Sequence, residues 1–273
     1  MLKKRVVFTL LYDSGSFMLS RNFRLQRVGD LSWLQTNYDF AQIAFFIDEL
    51  IVLDVSQENK NIGDFCKTLK QLATGCFAPI AAGGGVRSIE DARRLLHSGA
   101  DKIVINTPLF KNQILVENLA KEFGEQCLVG SVDVIKNGEE DYTVVTECGN
   151  SRLSGPASDS LLMVTKQPIG EIYLNSIDRD GTGQGYDLSL LGLLPKVCTT
   201  PIIIAGGVGN AKHLAGGFCD DRVDAVATAN LFNFVGNGLQ RARALLVKDG
   251  FSLATWPPLH NLFQNANFNI SQS

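Results

Sequence analysis

The sequence predicts an α/β protein that folds as one (β/α)8 TIM barrel, and three observations support this prediction. Eight short apolar or β-branched runs recur along the 273 residues. Stretches with the 3.6-residue periodicity of amphipathic helices separate these runs. Gly-rich turns follow two of the runs at equivalent places in the two halves of the chain. Strand followed by helix, eight times over, is the pattern of this barrel, and a chain of this length forms it as one domain.

The first predicted strand begins at the last of three consecutive basic residues, Lys3, Lys4 and Arg5. Its apolar run, VVFTLLY, is short and ends at Asp13 without the small residues of a cleavage site, so we interpret it as a strand and not as a secretory signal. The eight predicted strands are Arg5–Leu11, Glu49–Asp54, Pro79–Gly83, Lys102–Ile105, Cys127–Asp133, Glu171–Ser176, Pro201–Ala205 and Val223–Thr228.

Helices are predicted between the strands, and a clear example is the segment SIEDARRLLHS. Ser88 can cap its N-terminus, and Ile89, Ala92, Leu95 and Leu96 share one face. The apolar face predicts a helix that packs against the barrel.

One segment departs from the alternation of strand and helix. After the fifth strand, residues 134–153 contain the turn dipeptide Asn137-Gly138 and the extended run DYTVVTE, which together predict an inserted hairpin. From residue 254 onward the periodicity is lost, and the chain ends in Asn, Gln and Ser. We therefore predict a barrel over residues 1–253 and a loosely attached C-terminal tail over residues 254–273.

The chain contains an internal repeat. The segment PIAAGGGVRS matches PIIIAGGVGN, and DELIVLD matches GEIYLNS, both at an offset of 122 residues. This repeat predicts a barrel built from two duplicated half-barrels. Each half carries a Gly-rich turn before a helix, and such a turn can hold a phosphate. Two such turns indicate a ligand with two phosphates.

A further Gly-rich turn, NSIDRDGTGQGYD, carries the carboxylates Asp178 and Asp180. Its glycines allow a backbone to approach an anion closely, and Asp180 could exchange a proton with the ligand held there. The alternative for the DRDG segment is an Asx turn without a ligand.

The composition limits the kinds of partner. A net charge of −3 and the absence of a long Lys/Arg block argue against nucleic acid and anionic membranes. Six cysteines without C-x-x-C spacing predict neither a metal site nor a disulfide framework, and reduced thiols fit a cytoplasmic protein. No apolar run is long enough to span a membrane. We expect a small-molecule ligand and no cofactor.

Five ordered motifs resemble those of one family, the cyclase subunit of imidazole glycerol phosphate synthase. They are GGGVRSIEDARRLL, GADKIVIN, FGEQCLVGSVD, GEIYLNSIDRDGTGQGYD and PIIIAGGVGN. The resemblance implies a lyase of histidine biosynthesis, with a phosphorylated small molecule at the top of the barrel. It also implies a separate glutaminase subunit at the N-terminal face, in a heterodimer in which ammonia passes up the barrel. The implied phosphate-binding residues are Gly84, Gly85, Asn106, Thr107, Gly181, Gly206, Gly207, Ala229 and Asn230.

The catalytic residues implied by the resemblance are only partly present. The family's two catalytic carboxylates correspond to Leu11 and Asp133, and a family lysine corresponds to Leu19. Leucine cannot transfer a proton, whereas a positioned catalytic acid or base contributes about 10²- to 10⁴-fold to a rate. Asp133 and Asp180 are therefore the catalytic candidates, with Asp13 as one substitute for the lost carboxylate.

A ring of four charges that forms an ammonia gate in the family is complete in this chain. Arg5, Glu49, Lys102 and Glu171 occupy the four positions, each at the start of a strand. Two positive and two negative charges can pair in a confined ring, which makes their burial tolerable. The alternative is a structural salt-bridge cluster. Because the ring is kept where the carboxylate above it is lost, we favour the gate.

The source of ammonia must be a partner. None of the six cysteines lies on a glycine-flanked turn of the kind that carries a glutaminase nucleophile. Our first hypothesis is an ammonia-conducting subunit that has lost the cyclase reaction. It would serve a sugar amidotransferase of lipopolysaccharide or O-antigen biosynthesis, because paralogues of this kind accompany such enzymes. The second hypothesis is the ordinary cyclase reaction, and the third is a non-catalytic scaffold or activator of the glutaminase.

Overall fold

Eight parallel strands close into a barrel in the computed structural model, which describes residues 3–38, 43, 45–58, 60–138 and 141–254. The strands of the whole sheet are β1 (Arg5–Asp13), β2 (Ser16–Arg21), β3 (Arg24–Gly29), β4 (Glu49–Asp54), β5 (Ile80–Gly83), β6 (Lys102–Ile105), β7 (Leu128–Lys136), β8 (Tyr142–Thr146), β9 (Ser151–Arg152), β10 (Glu171–Ser176), β11 (Ile202–Ala205) and β12 (Val223–Thr228). The eight barrel strands pair in the order β1, β4, β5, β6, β7, β10, β11 and β12, and β12 pairs with β1 to close the barrel. The predicted (β/α)8 barrel is confirmed.

Helices lie on the outside of the barrel, with the larger apolar core between them and the strands. They are α1 (Leu31–Asn37), α2 (Ile62–Gly75), α3 (Ile89–His97), α4 (Thr107–Lys111), α5 (Gln113–Phe123), α6 (Ala157–Val164), α7 (Ala211–Gly217) and α8 (Gly238–Lys248), with 3-10 turns at Glu125–Cys127 and Leu188–Leu193. The predicted features of α3 are confirmed, because Ser88 accepts a hydrogen bond from the Asp91 N–H at 3.1 Å and Ala92 and Leu95 are buried. Within the described ranges, no helix is long and apolar enough to cross a membrane.

The predicted strand ends lie close to the observed ones. Strands β4, β6, β10 and β12 agree with the prediction at both ends. Pro79 and Pro201 lie just outside β5 and β11, because proline has no N–H to donate to the ladder. Strands β1 and β7 continue to Asp13 and Lys136, since each goes on into an antiparallel hairpin.

Two hairpins extend the sheet beyond the C-terminal end of the barrel. The insertion predicted after the fifth barrel strand is confirmed, because β8 pairs antiparallel with β7, and β9 with β8. Its connection covers residues 137–141, so Asn137-Gly138 forms only part of the turn, and residues 139 and 140 lie outside the described residues. The second hairpin, β2–β3, is missing from the prediction because SFMLSR and RLQRVG alternate only weakly between apolar and polar residues.

A second apolar cluster fills the inside of the barrel. It consists of Val7, Ile51, Ala81, Val104, Val129, Tyr173, Ile203, Ala205, Ala225 and Ala227. Four of these residues are alanines, so the interior carries less side-chain volume than the Val, Ile and Leu layers usual for this fold. The hydroxyl groups of Thr9 and Tyr173 lie 3.3 Å apart at the upper end of this interior.

Two predictions about the organisation of the chain stay predictions. Leu50 lies opposite Ile80 in β4–β5, and Ile172 lies opposite Ile202 in β10–β11, so positions 122 residues apart pair in the same register. This register is compatible with two duplicated half-barrels without establishing their common origin. The boundary between barrel and tail is likewise untested, because residue 254 is the last described one.

Candidate functional site

A cavity of about 910 Å³ opens at the C-terminal ends of the barrel strands. In this fold the loops that follow the strands converge there and carry the functional residues. The structure brings together at this cavity all the residues predicted to bind phosphate, the two catalytic candidates Asp133 and Asp180, and Leu11, but not the possible substitute Asp13. These residues are Leu11, Gly84, Gly85, Asn106, Thr107, Asp133, Asp180, Gly181, Gly206, Gly207, Ala229 and Asn230. Their individual roles stay predictions.

The two Gly-rich turns depend on glycine for their geometry. Gly84 has a φ of +103°, and a Cβ atom there would lie 2.1 Å from the Asp54 carbonyl oxygen. Gly206 repeats this arrangement with a φ of +91°, where a Cβ atom would lie 2.5 Å from the Ser176 carbonyl oxygen. Each turn therefore packs backbone against backbone at the end of a neighbouring strand. Successive peptide groups in such a turn are suited to holding an anion.

We expect Gly84→Ala to lower the free energy of unfolding by roughly 3 kcal/mol or more. A left-handed backbone alone costs about 1 to 2 kcal/mol in a residue with a Cβ atom, and the contact with Asp54 adds a forced backbone shift. Gly155→Ala is the matched control, because Gly155 has a φ of +86° and nothing within 4 Å of an added Cβ atom. Urea unfolding of both variants measures the difference, and equal losses would contradict this account.

Lys60 is a cation of the site that the sequence analysis does not single out. Its ammonium group donates a hydrogen bond to the Asp54 carbonyl oxygen at 2.9 Å, and its side chain lies beside Gly85. A positive charge next to a Gly-rich turn favours a phosphate there. Its place in the loop that follows β4 is the signal that could have identified it, since such loops line the site in this fold.

Asp133 is held on β7 between two side-chain amides. Asn106 donates a hydrogen bond to its Oδ2 atom at 3.0 Å, and Asn175 donates one to its Oδ1 atom at 2.9 Å. Burial raises the pKa of Asp133 to about 6, and the charge of Asp180 adds to the rise, whereas the two amides oppose it. A carboxyl group with a pKa near neutrality is suited to general acid or base chemistry.

Asn175→Ala should raise the pKa of Asp133 above about 6, because it removes a donor that favours the charged form. The titration of ¹³C-labelled aspartate carboxyl groups by NMR measures this pKa. Asn61→Ala, at the exposed N-cap of α2, is the control and should leave the pKa unchanged. An unchanged or lowered pKa in Asn175→Ala would contradict the prediction.

The same pKa predicts how stability depends on pH. Since the pKa of Asp133 is raised in the folded protein from 3.8 to about 6, this group favours the folded state most strongly below pH 3.8. The contribution is lost as the pH rises through about 6. Asp133→Asn should therefore gain stability relative to the wild type across this range, which urea unfolding at several pH values measures.

Two carboxylates of the DRDG turn each fix a hairpin. The Oδ2 atom of Asp180 accepts a hydrogen bond from the Ser20 hydroxyl group and another, at 3.1 Å, from the Phe23 N–H. Burial raises the pKa of Asp180, and the Ser20 contact opposes the rise. Asp178 accepts a hydrogen bond from the Lys136 N–H at 2.6 Å. Asp180 therefore holds the β2–β3 hairpin in addition to lining the cavity, a role that the sequence analysis does not predict.

Three leucine side chains form part of one wall of the cavity. Leu11 lies opposite Leu53 of β4, and both line the cavity together with Leu19. Asp13 pairs with Ser16 across the turn between β1 and β2 and is not among the described residues that line the cavity. Strand β1 therefore brings no carboxylate into the cavity near Asp133.

The four charges predicted at the opposite end of the barrel come together in a closed ring. Arg5 lies 2.9 Å from Glu49 and 2.6 Å from Glu171, and Lys102 lies 3.0 Å from Glu49 and 2.9 Å from Glu171, measured from nitrogen to oxygen. Each carboxylate is thus shared by two cations. Glu49 is only 2% exposed, and burial raises its pKa against the opposing effect of Lys102 and Arg5. The role of this ring as a gate stays a prediction.

Fold and site together define a (β/α)8-barrel protein with a small-molecule cavity at the carboxyl ends of its strands and a closed ring of ion pairs at the other end. The family described as histidine biosynthesis protein matches the chain over residues 34–236. The chain belongs to this family.

Two relatives place the chain more closely within the family. A protein of Parasynechococcus marenigrum (strain WH8102), provisionally named imidazole glycerol phosphate synthase subunit hisF2, is 44% identical over 260 residues, which cover 95% of this chain and 96% of that protein. Imidazole glycerol phosphate synthase subunit HisF of Hyphomonas neptunium (strain ATCC 15444) is 35% identical over 256 residues, which cover 93% of this chain and all of that protein. The resemblance predicted from the sequence motifs is confirmed.

Proposed function

We propose that this chain is the barrel subunit of a glutamine amidotransferase complex of the imidazole glycerol phosphate synthase type. A separate glutaminase subunit docks at the N-terminal face of the barrel and releases ammonia, which passes through the barrel to the cavity. The ammonia then serves a sugar-amidating enzyme of lipopolysaccharide or O-antigen biosynthesis. The glutaminase and the barrel form a cytoplasmic heterodimer.

The observation that carries this proposal is the ring of Arg5, Glu49, Lys102 and Glu171 beneath an apolar interior. The interior cluster above the ring consists of aliphatic side chains and Tyr173. Neutral ammonia can cross such an interior, whereas ammonium cannot, because burying an unpaired charge costs far more free energy than burying a small neutral molecule. Every charge of the ring is paired, so passage requires one ion pair to separate, and we assign this step to docking of the glutaminase.

The altered cavity supports an ammonia acceptor other than the cyclase substrate. Leu11, Leu19, Asp133 and the glycine turns line the cavity, and the family resemblance implies a carboxylate and an amine at the positions of the two leucines. The cavity therefore retains features for binding a ligand and lacks half of the acid/base pair for converting it. An ammonia conduit needs no acid/base pair.

Labelled glutamine tests the proposal in a complex of this chain, its glutaminase and the sugar-amidating enzyme. We expect nitrogen from amide-labelled glutamine to reach the sugar only when the barrel is present, whereas ammonium should support amidation without it. Ala225→Leu adds bulk inside the barrel and should lower the glutamine-dependent reaction alone. A complex that releases no ammonia from glutamine in the presence of the amidating enzyme would overturn the proposal, and so would equal loss of both reactions in a folded Ala225→Leu protein.

Two other functions each have one observation in their favour. The ordinary cyclase reaction is favoured by Asp133, whose raised pKa suits acid/base catalysis. A non-catalytic scaffold or activator of the glutaminase is favoured by the ring itself, which is fully paired and therefore closed. In that case, substitutions at Glu49 or Lys102 would leave both complex formation and coupled ammonia use unchanged.

A further inference from the structure

The proposed function leaves a group of cations around the cavity without a role. Five basic and four acidic side chains line the cavity, in a chain whose net charge is −3. Lys111 pairs with Glu147 at 2.6 Å. By contrast, the guanidinium groups of Arg21, Arg24 and Arg87 form no ion pair with any acid in the described part of the chain. The basic side chains of the cavity are therefore largely unpaired.

Arg21 and Arg24 stand directly opposite each other on the β2–β3 hairpin. They form the cross-strand pair next to its turn, and both are exposed and line the cavity. Two like charges in this position repel each other and destabilise a hairpin. An anion between them would replace the repulsion by two attractions. Arg21 also lies against Gly181, where an added Cβ atom would lie 2.8 Å from the Arg21 Cα atom, so the pair is next to a Gly-rich turn.

The tip of this hairpin is braced over the cavity. The Asn22 side chain donates a hydrogen bond to the Ile177 carbonyl oxygen at 2.9 Å, and the Phe23 N–H donates one to Asp180 at 3.1 Å. Asn22 and Phe23 have φ angles of +51° and +63°, and the second position of such a turn usually carries glycine. The Phe23 ring instead packs over Gly149 in the other hairpin. These contacts keep the two arginines at the cavity mouth.

We infer that Arg21 and Arg24 form an anion-binding site at the mouth of the cavity, which takes a phosphate or carboxylate group of a small-molecule ligand whose other end lies at the glycine turns. Guanidinium groups suit this role because their planar N–H donors match two oxygen atoms of one anionic group. The ligand is thus an organic molecule with at least two anionic groups.

Binding of inorganic pyrophosphate to the full chain tests the site by calorimetry at low ionic strength. Arg21→Gln with Arg24→Gln should raise the dissociation constant roughly tenfold or more, because two charge-assisted contacts are lost. Arg27→Gln is the matched control, since Arg27 is exposed on the same hairpin, lies opposite Met18 and does not line the cavity among the described residues. We expect the dissociation constant of pyrophosphate to change less than twofold in the Arg27→Gln protein.

A chemical measurement on the wild-type protein does not depend on whether the arginine variants fold. Pyrophosphate should slow the reaction of phenylglyoxal with Arg21 and Arg24 severalfold and leave Arg27 unaffected, as read by mass spectrometry of peptides. The absence of binding, equal binding to the double variant, or equal protection of all three arginines would overturn the inference. None of these experiments involves ammonia, so their failure would leave the proposed conduit untouched.

Discussion

In a cyclase assay, the purified chain should form product at about 10²- to 10⁴-fold below the rate of an ordinary cyclase subunit. The assay uses the imidazole glycerol phosphate precursor with two phosphates and saturating ammonium, so that no glutaminase is needed. The physical reason is that Leu11 cannot transfer a proton, and Asp13 does not line the cavity in its place. Of the two catalytic carboxylates implied by the family resemblance, only Asp133 then remains to serve as both acid and base.

HisF of Hyphomonas neptunium, assayed in parallel, provides the reference, and Leu11→Asp is the matched variant. Leu11→Asp places a carboxylate on the cavity wall beside Leu53 and should raise the rate above that of the wild type. A wild-type rate near the reference would mean that the lost carboxylate is compensated, and the cyclase function would then replace our proposal. Complementation of a histidine auxotroph that lacks the cyclase gives the same decision in cells.

Glu49→Gln should lower the free energy of unfolding by about 3 kcal/mol. Glu49 is buried and is shared by Arg5 and Lys102, so its neutralisation leaves an excess positive charge in a confined ring. Proteins of this kind have a total stability of only about 5–15 kcal/mol. The expected loss is therefore a large fraction of the whole, and urea unfolding followed by circular dichroism measures it.

Two further variants separate the ring from ordinary surface pairs. Asp64→Asn breaks an exposed pair with Lys67 at 2.8 Å and should cost less than about 1 kcal/mol. The double variant with Glu49→Gln and Lys102→Met has no excess charge and keeps the contact between Arg5 and Glu171. It should therefore recover part of the free energy of unfolding that Glu49→Gln loses. Equal losses in Glu49→Gln and Asp64→Asn would show that the ring contributes no more than a surface pair.

Several features of the site follow from the sequence because their signals are local. Strands such as Lys102–Ile105 are short apolar runs, and Ser88 stands at the start of a helical pattern. The offset of 122 residues aligns the two Gly-rich turns, and alternation along β-strands then places the residues of the ring on the inward face of the barrel. Once the fold is a closed parallel barrel, the loops after the strand ends converge on one cavity.

Other features depend on contacts between residues that are far apart in the chain. The contact of Ser20 with Asp180 joins positions 160 residues apart, and it gives this candidate proton carrier a second role in supporting a hairpin. No local pattern predicts that Lys60 lies beside Gly85 or that Arg21 and Arg24 form a cross-strand pair. The sequence by itself therefore determined the barrel and its two glycine turns, because periodicity and motifs are properties of short segments. Only the tertiary structure decided the environment of Asp133, the closed pairing of the ring and the arginines at the cavity mouth, because each of these depends on how separate loops and strands pack together.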